Sequence, residues 1–494
     1  MSRGSRAAVS LRIFGGAFPA RALLLVCLGG LVDAAWAQRT YTGSLKQRYL
    51  ELCASCHGKN LEGVQAPSML DDDWTHGGDD ESLARSIRNG IPDKNMPAWS
   101  PTLSEKEIRA FVVYLREERA HHQRAKTTFA QPPEAIAVQS ALHDYQLKTW
   151  VAPLNQPWSL AFLPGGGALV TEKQPSRLLR IDGDGRVREL PGLPPIDTTG
   201  DCGLMDVVLH PDFARNGWIY LACSDPPPPA GHPSLGQTRI IRGRERDGRF
   251  TDVEVVYRVP DDRIRAQPGS GGRIAFDRAG LLYFSIGDHS GTKSLLTGGS
   301  TAQKLDWPTG KVHRLFDDGQ IPADNPFRDH RDAPSSVWTY GHRNPQGLAF
   351  HPLTGELYSS EHGPRGGDEI NRLARGANYG WPVITHGMHY NGTAITEFTA
   401  RDGMEQPVVH WTPSIAPSGI SFYTGDLFPR WKNHLFVAAL AAEELRRIEI
   451  RAGRAVAQEI LFKNLGRVRH VVTGPDGALY VLLPGRIARL SPAN

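Results

Sequence analysis

The sequence predicts an all-β six-bladed propeller over residues 141–494. A unit of two apolar strands around a Gly-, Pro- or Asp-containing turn recurs six times there, from WSLAFLPGGGALVTE to HVVTGPDGALYVLL. Short strands with glycine-rich turns at such intervals are typical of propellers. The chain also has 494 residues, enough for two or more domains. Two β-sandwiches are the structural alternative, and they explain the repeat less well.

Residues 1–37 are expected to form a secretory signal peptide. Four arginines precede the apolar run ALLLVCLGGLV, and AWA at 35–37 has the form of a cleavage site. The run is shorter than the roughly 20 residues of a spanning helix, so we expect cleavage and a periplasmic protein without a membrane span. Without this segment the formal net charge falls from +4 to +1, because four Arg and one Asp are removed. The remaining charge gives no indication of nucleic acid as a partner.

The stretch LCASCHGKN at 52–60 contains a Cys-x-x-Cys-His motif. This spacing places two thiols and an imidazole where they can hold a covalently attached haem. A chance match, an incomplete zinc site and a thiol redox pair are the alternatives. The export signal and the surrounding sequence favour haem c.

The neighbouring sequence supplies a sixth iron ligand. The segment IPDKNMPAWS places Met96 in a Pro-bounded loop before the helix-like SEKEIRAFVVYLREE. Residues 42–118 resemble class I cytochrome c domains, which implies a small all-α domain, assigned to 38–120. The resemblance makes Cys53 and Cys56 the haem thioethers, His57 the proximal ligand and Met96 the distal ligand.

Met69 is the competing distal candidate, although its position close to the motif favours a packing role. A haem with two protein ligands has no open coordination position, so this domain is expected to carry electrons. Residues 121–140 lack apolar periodicity and contain a Pro pair, which predicts a linker. Two further cysteines, Cys202 and Cys223, flank a predicted hairpin and are either a disulfide or two buried thiols.

Several strings in the propeller region closely resemble the soluble glucose and aldose sugar dehydrogenases that use pyrroloquinoline quinone (PQQ). They are YGHRNPQGLAFHPLTGELYSSEHGPRGGDEIN, GANYGWP, HWTPSIAPSGISFY and GRVRHVVTGPDGALYVL. The resemblance implies PQQ and calcium in the axial cleft and oxidation of an aldose at C1 to a lactone. A cofactor with three carboxylates needs fixed guanidinium groups, and a hard cation prefers oxygen ligands.

The resemblance also assigns residue roles. It implies that Arg343 and Asn344 lie beside the quinone oxygens and that Arg343 also acts in catalysis. Arg467 and Arg469 would bind the cofactor carboxylates, and Trp411 would cover the cofactor or substrate. The carbonyls of Gly363 and Pro364 would bind calcium.

The sequence departs from this family at the catalytic base. The family has a histidine four residues before the arginine of GGR, but Gly269 stands at that position here. Asp288 matches the acidic residue that orients the absent histidine. Asp201 replaces a Gln or Glu, and Ala441 replaces a Lys near the cofactor. Asp201 and His289 are the candidate substitute bases, since a carboxylate or imidazole can accept a proton.

Three functions remain at this point. The first is a periplasmic quinohaemoprotein dehydrogenase that oxidises an aldose or alcohol and passes electrons through its haem to a periplasmic redox protein or the respiratory chain. The second is a degenerate propeller that binds a ligand or protein, fused to an electron-carrying cytochrome. The third is a haem-d1 nitrite reductase, which six repeats rather than eight argue against.

Overall fold

The computed structural model describes residues 44–71, 73–125, 135–226, 236–260, 271–288, 299–330 and 336–493. These residues belong to one compact unit. The predicted signal peptide lies outside the described residues. Among the helices of the described part, none combines the length and apolar character needed to cross a bilayer.

The N-terminal part is all helical, as predicted. It contains α1 (Leu45–Leu52), α2 (Ala54–His57), α3 (Asp80–Asn89), a 3₁₀ helix (Pro92–Lys94) and α4 (Glu105–Ala125). Ser44 and Asp79 cap α1 and α3 by accepting hydrogen bonds from backbone amides. Buried side chains from α1, α3 and α4 form one apolar cluster, against which Met69 packs, consistent with a packing role for that residue.

The predicted linker at 121–140 was wrong at both ends. α4 continues to Ala125, and the first propeller strand begins at Ala135. The sequence REERAHHQRA lacks apolar periodicity, but Glu, Arg, Ala and Gln favour helix, and propensity extends the helix past the buried part. His121 and His122, which were placed in the linker, therefore belong to α4.

The propeller has six antiparallel sheets, which confirms the predicted repeat and excludes the sandwich alternative. Five sheets have four consecutive strands each. Blade 1 has β3 (Pro157–Phe162), β4 (Ala168–Glu172), β5 (Arg177–Ile181) and β6 (Val187–Glu189); blade 2 has β7 (Leu204–Leu209), β8 (Ile219–Ser224), β9 (Thr238–Arg246) and β10 (Arg249–Tyr257); blade 3 has β11 (Gly271–Phe276), β12 (Leu282–Ile286), β13 (Lys311–Leu315) and β14 (Val337–Tyr340). Blade 4 has β15 (Pro345–Phe350), β16 (Leu357–Glu361), β17 (Asp368–Leu373) and β18 (Val409–Trp411); blade 5 has β19 (Pro417–Phe422), β20 (Leu435–Ala439), β21 (Glu444–Arg451) and β22 (Arg454–Lys463). A short helix, α5 (Phe213–Asn216), lies in the turn between β7 and β8, and a 3₁₀ helix (Pro429–Trp431) precedes β20.

Blade 6 closes the ring by combining both ends of the propeller sequence. Its inner strands are β23 (His470–Thr473), β24 (Leu479–Leu483) and β25 (Arg486–Pro492), and its outer strands are β2 (Tyr145–Val151) and β1 (Ala135–Val138). β2 pairs antiparallel with β25, so main-chain hydrogen bonds join the ends. The buried Tyr145 side chain reinforces this closure by donating a hydrogen bond to the Leu461 carbonyl.

The turns between the first two strands of a blade explain the repeated sequence pattern. Asp277 accepts hydrogen bonds from the amides of Ala279 and Leu281, and Asp476 accepts one from Ala478. In blade 1 the turn ends at Gly167, which has a positive φ of 77° and lies against the Ile181 carbonyl. A Cβ at Gly167 would clash with that backbone, so the residue must be glycine.

A buried ion pair connects the inner strands near the propeller axis. Arg273 of β11 binds Asp206 of β7 at 3.0 Å, and both side chains are about 2% exposed. Asp206 also accepts hydrogen bonds from the Ser159 hydroxyl and the Ile274 amide. The Arg273 guanidinium stacks 4.0 Å from the centre of the Trp158 ring. Side chains from blades 1, 2 and 3 are therefore joined at the axis.

The two remaining cysteines are buried thiols and not a disulfide. Cys223 lies in β8 and contacts the Arg239 guanidinium at 3.7 Å. Burial raises the pKa of the Cys223 thiol. Of the two alternatives that the sequence allowed, a disulfide or two buried thiols, the described structure contains the thiols. These residues act as small apolar side chains.

One buried histidine makes the stability of the fold depend on pH. His313 of β13 stacks on Phe284 and makes hydrogen bonds to Ser336 and the Pro308 carbonyl. Burial lowers the pKa of His313 to about 3. The unfolded chain therefore binds a proton as the pH falls below about 6.5, while the folded chain does not.

We expect the free energy of unfolding to fall as the pH is lowered from 7 to 4, with His313 contributing about 3 kcal/mol of that fall. Chemical denaturation at both pH values measures it. His313→Gln keeps hydrogen-bonding capacity but cannot titrate, so this variant should show a smaller loss between the two pH values. An equal loss in the variant and the wild type would contradict the assignment.

Candidate functional site

The Cys-x-x-Cys-His motif lies where α1 passes into α2. Cys53 connects the two helices, and the Cys56 carbonyl accepts hydrogen bonds from the amides of residues 64–66. His57 is half-buried, and burial lowers its pKa, which favours the neutral imidazole that binds iron. Its Nδ1 atom is buried and makes no hydrogen bond within the described part of the chain. These features fit a haem ligand.

Met96 is held by a tight loop before α4. The Ile91 and Met96 amides and carbonyls bond to each other in both directions, at 2.9 and 3.1 Å. Asn95 between them has a positive φ of 59°, which Asn tolerates well. The Met96 side chain is half-buried. The structure therefore presents this thioether from a constrained loop, and its role as distal ligand stays a prediction.

The quinone-facing pair of the sequence analysis lies between blades 3 and 4. Arg343 is 9% exposed and donates from Nη1 to the carbonyls of His362 and Gly363, at 2.9 and 2.8 Å. Its Nη2 atom lies 3.3 Å from the Tyr390 hydroxyl. Asn344 accepts a hydrogen bond from Gln346 at 3.2 Å. The Arg343 guanidinium is thus held by backbone carbonyls, while the Arg343 amide donates to the Glu361 carboxylate.

Arg467 and Arg469, the pair predicted to bind the cofactor carboxylates, lie at the start of blade 6. Arg469 donates to Gln346 and Ser418 over 3.3 Å each, both neutral partners. Burial, followed by repulsion from Arg273 and Arg467, lowers the pKa of Arg469 to about 9, while Asp201 opposes this effect. The structure therefore brings Asp201, Arg467 and Arg469 together.

Lys173 joins this group, although the sequence analysis missed it. Burial and then Arg469 lower the pKa of Lys173, while Asp201 raises it. Gln174 next to it holds the loop of Asp201 by donating to the carbonyls of Gly200 and Cys202. The available signal was a lysine directly after the fully buried strand β4.

This part of the axis carries surplus positive charge. The described residues place four cationic side chains near two carboxylates. The cations are Arg273, Arg467, Arg469 and Lys173, and the carboxylates are Asp201 and Asp206. The Nη2 atom of Arg273 is buried without a hydrogen bond in the described structure. An unsatisfied buried donor beside surplus cations fits an anion such as a polycarboxylate.

The predicted calcium carbonyls lie on the loop between β16 and β17. The Gly363 carbonyl already accepts a hydrogen bond from the Arg343 guanidinium, and the Gly363 amide donates to the Asp368 carboxylate at 2.8 Å. Burial raises the pKa of Asp368 to about 7. The described residues contain no cluster of three acidic, His or Cys side chains suited to a metal. Backbone carbonyl oxygens are ligands that a hard ion prefers, and the Gly363 carbonyl already binds one cation, the Arg343 guanidinium.

The Asp288 carboxylate is bound by two hydroxyl groups. Its Oδ1 accepts a hydrogen bond from the Thr301 hydroxyl at 2.9 Å, and its Oδ2 accepts one from Ser300 at 2.5 Å. Its amide donates to the Arg343 carbonyl at 2.6 Å. Asp288 therefore positions the Arg343 backbone. His289 and Gly269 lie outside the described residues.

Trp411 lies apart from the cations of the axis. It ends the outermost strand of blade 4, its Nε1 donates to Gln458 at 3.0 Å, and the Arg446 guanidinium stacks 5.6 Å from its ring. Together with Arg116 of α4 it lines a cavity of about 440 Å³ between the helical and propeller parts. Its predicted role over the cofactor stays a prediction.

Comparison with known proteins agrees with both parts of this geometry. Residues 154–491 match the family model "Glucose / Sorbosone dehydrogenase", and residues 42–115 match the model "Cytochrome C oxidase, cbb3-type, subunit III". The chain belongs to the glucose/sorbosone dehydrogenase family. It carries an N-terminal cytochrome c domain in addition.

Individual relatives cover the propeller almost completely. The aldose sugar dehydrogenase YliI of Escherichia coli is 39% identical over 350 residues, which are 69% of this chain and 91% of the relative. A crystal structure of a glucose dehydrogenase is 37% identical, with a TM-score of 0.65, and covers 70% of this chain and 99% of its own. The PQQ-bound aldose sugar dehydrogenase of Streptomyces coelicolor is 29% identical, with a TM-score of 0.55, over 73% of this chain and 99% of its own.

The surplus charge at the axis predicts that Arg469 destabilises the ligand-free protein. Replacing it with Met removes repulsion toward Arg273 and Arg467 and loses only two long hydrogen bonds. We expect Arg469→Met to raise the free energy of unfolding by about 1 kcal/mol. Thermal and chemical denaturation without ligands measure the change.

Arg273→Met is the matched control. It removes an arginine of the same channel but leaves the Asp206 carboxylate buried without its partner, which should cost about 3–5 kcal/mol. Destabilisation by both variants to the same extent would show that Arg469 is not under electrostatic strain.

Proposed function

We propose that the propeller oxidises an aldose or alcohol with PQQ and calcium, and that the electrons pass to haem c of the chain's own cytochrome domain. The proposal places the protein in the periplasm. The observation that carries it is the group of surplus cations around Arg469, with the unsatisfied Arg273 Nη2. A protein that only scaffolds has no use for this charge, whereas a cofactor with three carboxylates compensates it.

Each part of the site then has a defined task. Arg467 and Arg469 bind cofactor carboxylates, and Arg343 lies beside the reacting oxygens, held in place by the Gly363 carbonyl and the Asp288 amide. Gly363 and Pro364 offer carbonyl oxygens to calcium. PQQ, when bound, supplies a quinone that accepts a hydride from the substrate carbon.

Proton removal needs a base other than the family histidine. Asp201 is a carboxylate that interacts electrostatically with Arg469, and its loop is held by Gln174. Its carboxylate oxygen is the atom to which we assign the proton of the substrate hydroxyl. The cations of Lys173 and Arg469 interact electrostatically with this carboxylate. His289 remains the second candidate.

The haem of the cytochrome domain accepts the electrons from the oxidation. A Met/His-ligated haem transfers one electron at a time, so two transfers follow each two-electron oxidation of a sugar. A periplasmic one-electron acceptor or the respiratory chain reoxidises the haem. Fusion of the two domains raises the effective concentration of the first acceptor.

A ligand- or protein-binding propeller without catalysis is the second candidate. Gly269 in place of the histidine and Ala441 in place of the lysine favour it. The two candidates differ in one respect: only the dehydrogenase couples substrate to haem reduction.

The main test follows the haem absorbance of the full chain after expression with haem maturation. We expect a panel of aldoses and alcohols to reduce the haem only when PQQ and calcium are both present. PQQ binding without reduction by any compound of the panel would favour the non-catalytic propeller. Failure to bind PQQ would contradict the dehydrogenase proposal.

Asp201→Asn tests the proposed base. Loss of a general base lowers kcat by about 10² to 10⁴, with a smaller change in KM, because the side-chain shape is retained. Asp184→Asn, in an exposed turn of blade 1, is the matched control and should leave the rate unchanged. If Asp201→Asn keeps full activity and His289→Ala loses it, the base is His289.

A further inference from the structure

The cytochrome domain makes specific polar contacts with blade 4 through α4. Arg365 of the propeller binds Glu118 at 2.8 Å, and its guanidinium lies 5.6 Å from the centre of the Tyr114 ring. The Glu117 carboxylate accepts a hydrogen bond from the Ser414 amide at 2.6 Å. Glu117 and Glu118 follow Tyr114 by three and four residues, so these groups come from one side of a single helix.

A third contact, made by an arginine, lies earlier on α4. Arg109 donates to the Thr385 carbonyl at 2.7 Å and contacts the Thr396 carbonyl at 3.5 Å. Burial lowers the pKa of Arg109. A guanidinium that is removed from water and bound to backbone carbonyls indicates a specific contact and not a chance approach of two surfaces.

Apolar packing continues across the same contact. Met388 of the propeller is fully buried within the apolar cluster of the cytochrome domain, and Ala394 packs against this cluster. Val113 of α4 lies against Gly366, where a Cβ would come within 2.9 Å of its side chain. The two parts therefore share a core, which a flexibly tethered domain does not.

The propeller side of this contact leads directly to the candidate site. Arg365 lies two residues after Gly363, whose carbonyl binds the Arg343 guanidinium. Tyr390, in the segment between Met388 and Ala394, contacts Arg343 as well. Two segments thus link Arg343 to the surface on which α4 lies.

The cytochrome side leads to the haem motif. The Tyr114 ring lies 5.6 Å from the Tyr49 ring, and the Tyr49 hydroxyl donates to the Gly58 carbonyl at 2.7 Å. The Tyr49 carbonyl accepts a hydrogen bond from the Cys53 amide at 2.8 Å. Tyr114 is therefore packed against the residue that holds both ends of the Cys-x-x-Cys-His turn.

We propose that α4 docks the cytochrome in one fixed position on the loop of Gly363 to Arg365, and that the contact of Arg365 with Tyr114 and Glu118 is the electron-transfer route from the propeller to the haem. This inference rests on the proposed function. Oxidation of one sugar C1 hydroxyl releases two electrons and two protons. Each passage across the contact reduces one ferric haem to ferrous haem, and a one-electron acceptor of the periplasm reoxidises it before the second passage. Arg365, Tyr114 and Glu118 are positioning residues, since none of them touches substrate.

The kinetic test uses the full chain loaded with haem, PQQ and calcium. Glu118→Arg opposes Arg365 with a like charge, so substrate-driven haem reduction in stopped flow should slow about tenfold, the loss of one charge-assisted contact. Substrate oxidation with a small soluble dye as acceptor should not change. The double variant Glu118→Arg with Arg365→Glu restores the pair with reversed charges and should restore haem reduction.

Arg372→Ala is the matched control. Arg372 lies in β17 and pairs with Glu356 at 3.0 Å, away from α4. This variant should leave both rates unchanged. Unchanged haem reduction in Glu118→Arg, or no recovery in the double variant, would overturn the route through Arg365.

A second measurement tests docking without substrate or PQQ. A protease site is inserted into the full chain between residues 126 and 134, and the cleaved protein is passed over a size-exclusion column while haem absorbance is followed. We expect the cytochrome to elute with the propeller, and Glu118→Arg to shift haem to the volume of a small domain. Separation of the cleaved wild type would overturn fixed docking. A wild type that co-elutes but oxidises no sugar with the dye would reject the proposed function and leave the docking intact.

Discussion

A ring of side-chain contacts at the propeller axis holds the six blades in register. Ser159 binds Asp206, Asp206 binds Arg273, and Arg273 donates to the Gln346 carbonyl at 3.1 Å. Arg469 then connects Gln346 to Ser418. The contacts thus pass from blade 1 through blades 2, 3 and 4 to blades 5 and 6. Main-chain pairing stabilises each blade internally, and apolar clusters pack every blade against its neighbours. The side chains at the axis add polar contacts from one blade to the next.

The same ring forms the floor of the candidate site, and this explains its composition. A ring built only for stability would contain apolar side chains, since a buried ion pair contributes little net stability compared with hydrophobic packing. Here the ring contains two arginines. Arg469 donates hydrogen bonds to the neutral Gln346 and Ser418, and burial lowers its pKa to about 9. This buried arginine lowers the free energy of unfolding of the ligand-free protein, and binding of an anionic ligand would raise it again. Such a loss of stability is common at binding sites.

The sequence contained enough information for the blades but not for the relation between the domains. The repeat of two strands around a turn, and turn residues such as Asp277 and Asp476, can be recognised within short stretches of sequence. Six blades could therefore be predicted, and the structure confirms them. The thiols of Cys202 and Cys223 could not be distinguished from a disulfide, because pairing depends on three-dimensional distance. Arg109, Glu118 and Arg365 look like solvated charges in sequence, and only the structure places them in a shared interface.

The site residues illustrate the same limit in finer detail. Arg343 and Arg469 could be located because they belong to long motifs, whereas Lys173 lies outside these motifs, directly after β4, and approaches Arg469 only in the folded chain. Asp288 matches the acidic residue that orients the family histidine, which is absent from its expected position here; its carboxylate binds the hydroxyls of Ser300 and Thr301.

Its amide still holds the Arg343 carbonyl, so the loss of the histidine removes one task of Asp288 and leaves the other. Under the proposed function, binding and proton transfer therefore depend on different groups in this chain. The ring that supports the cations does not include the proposed base Asp201, so a change of the base leaves the cofactor-binding arginines in place.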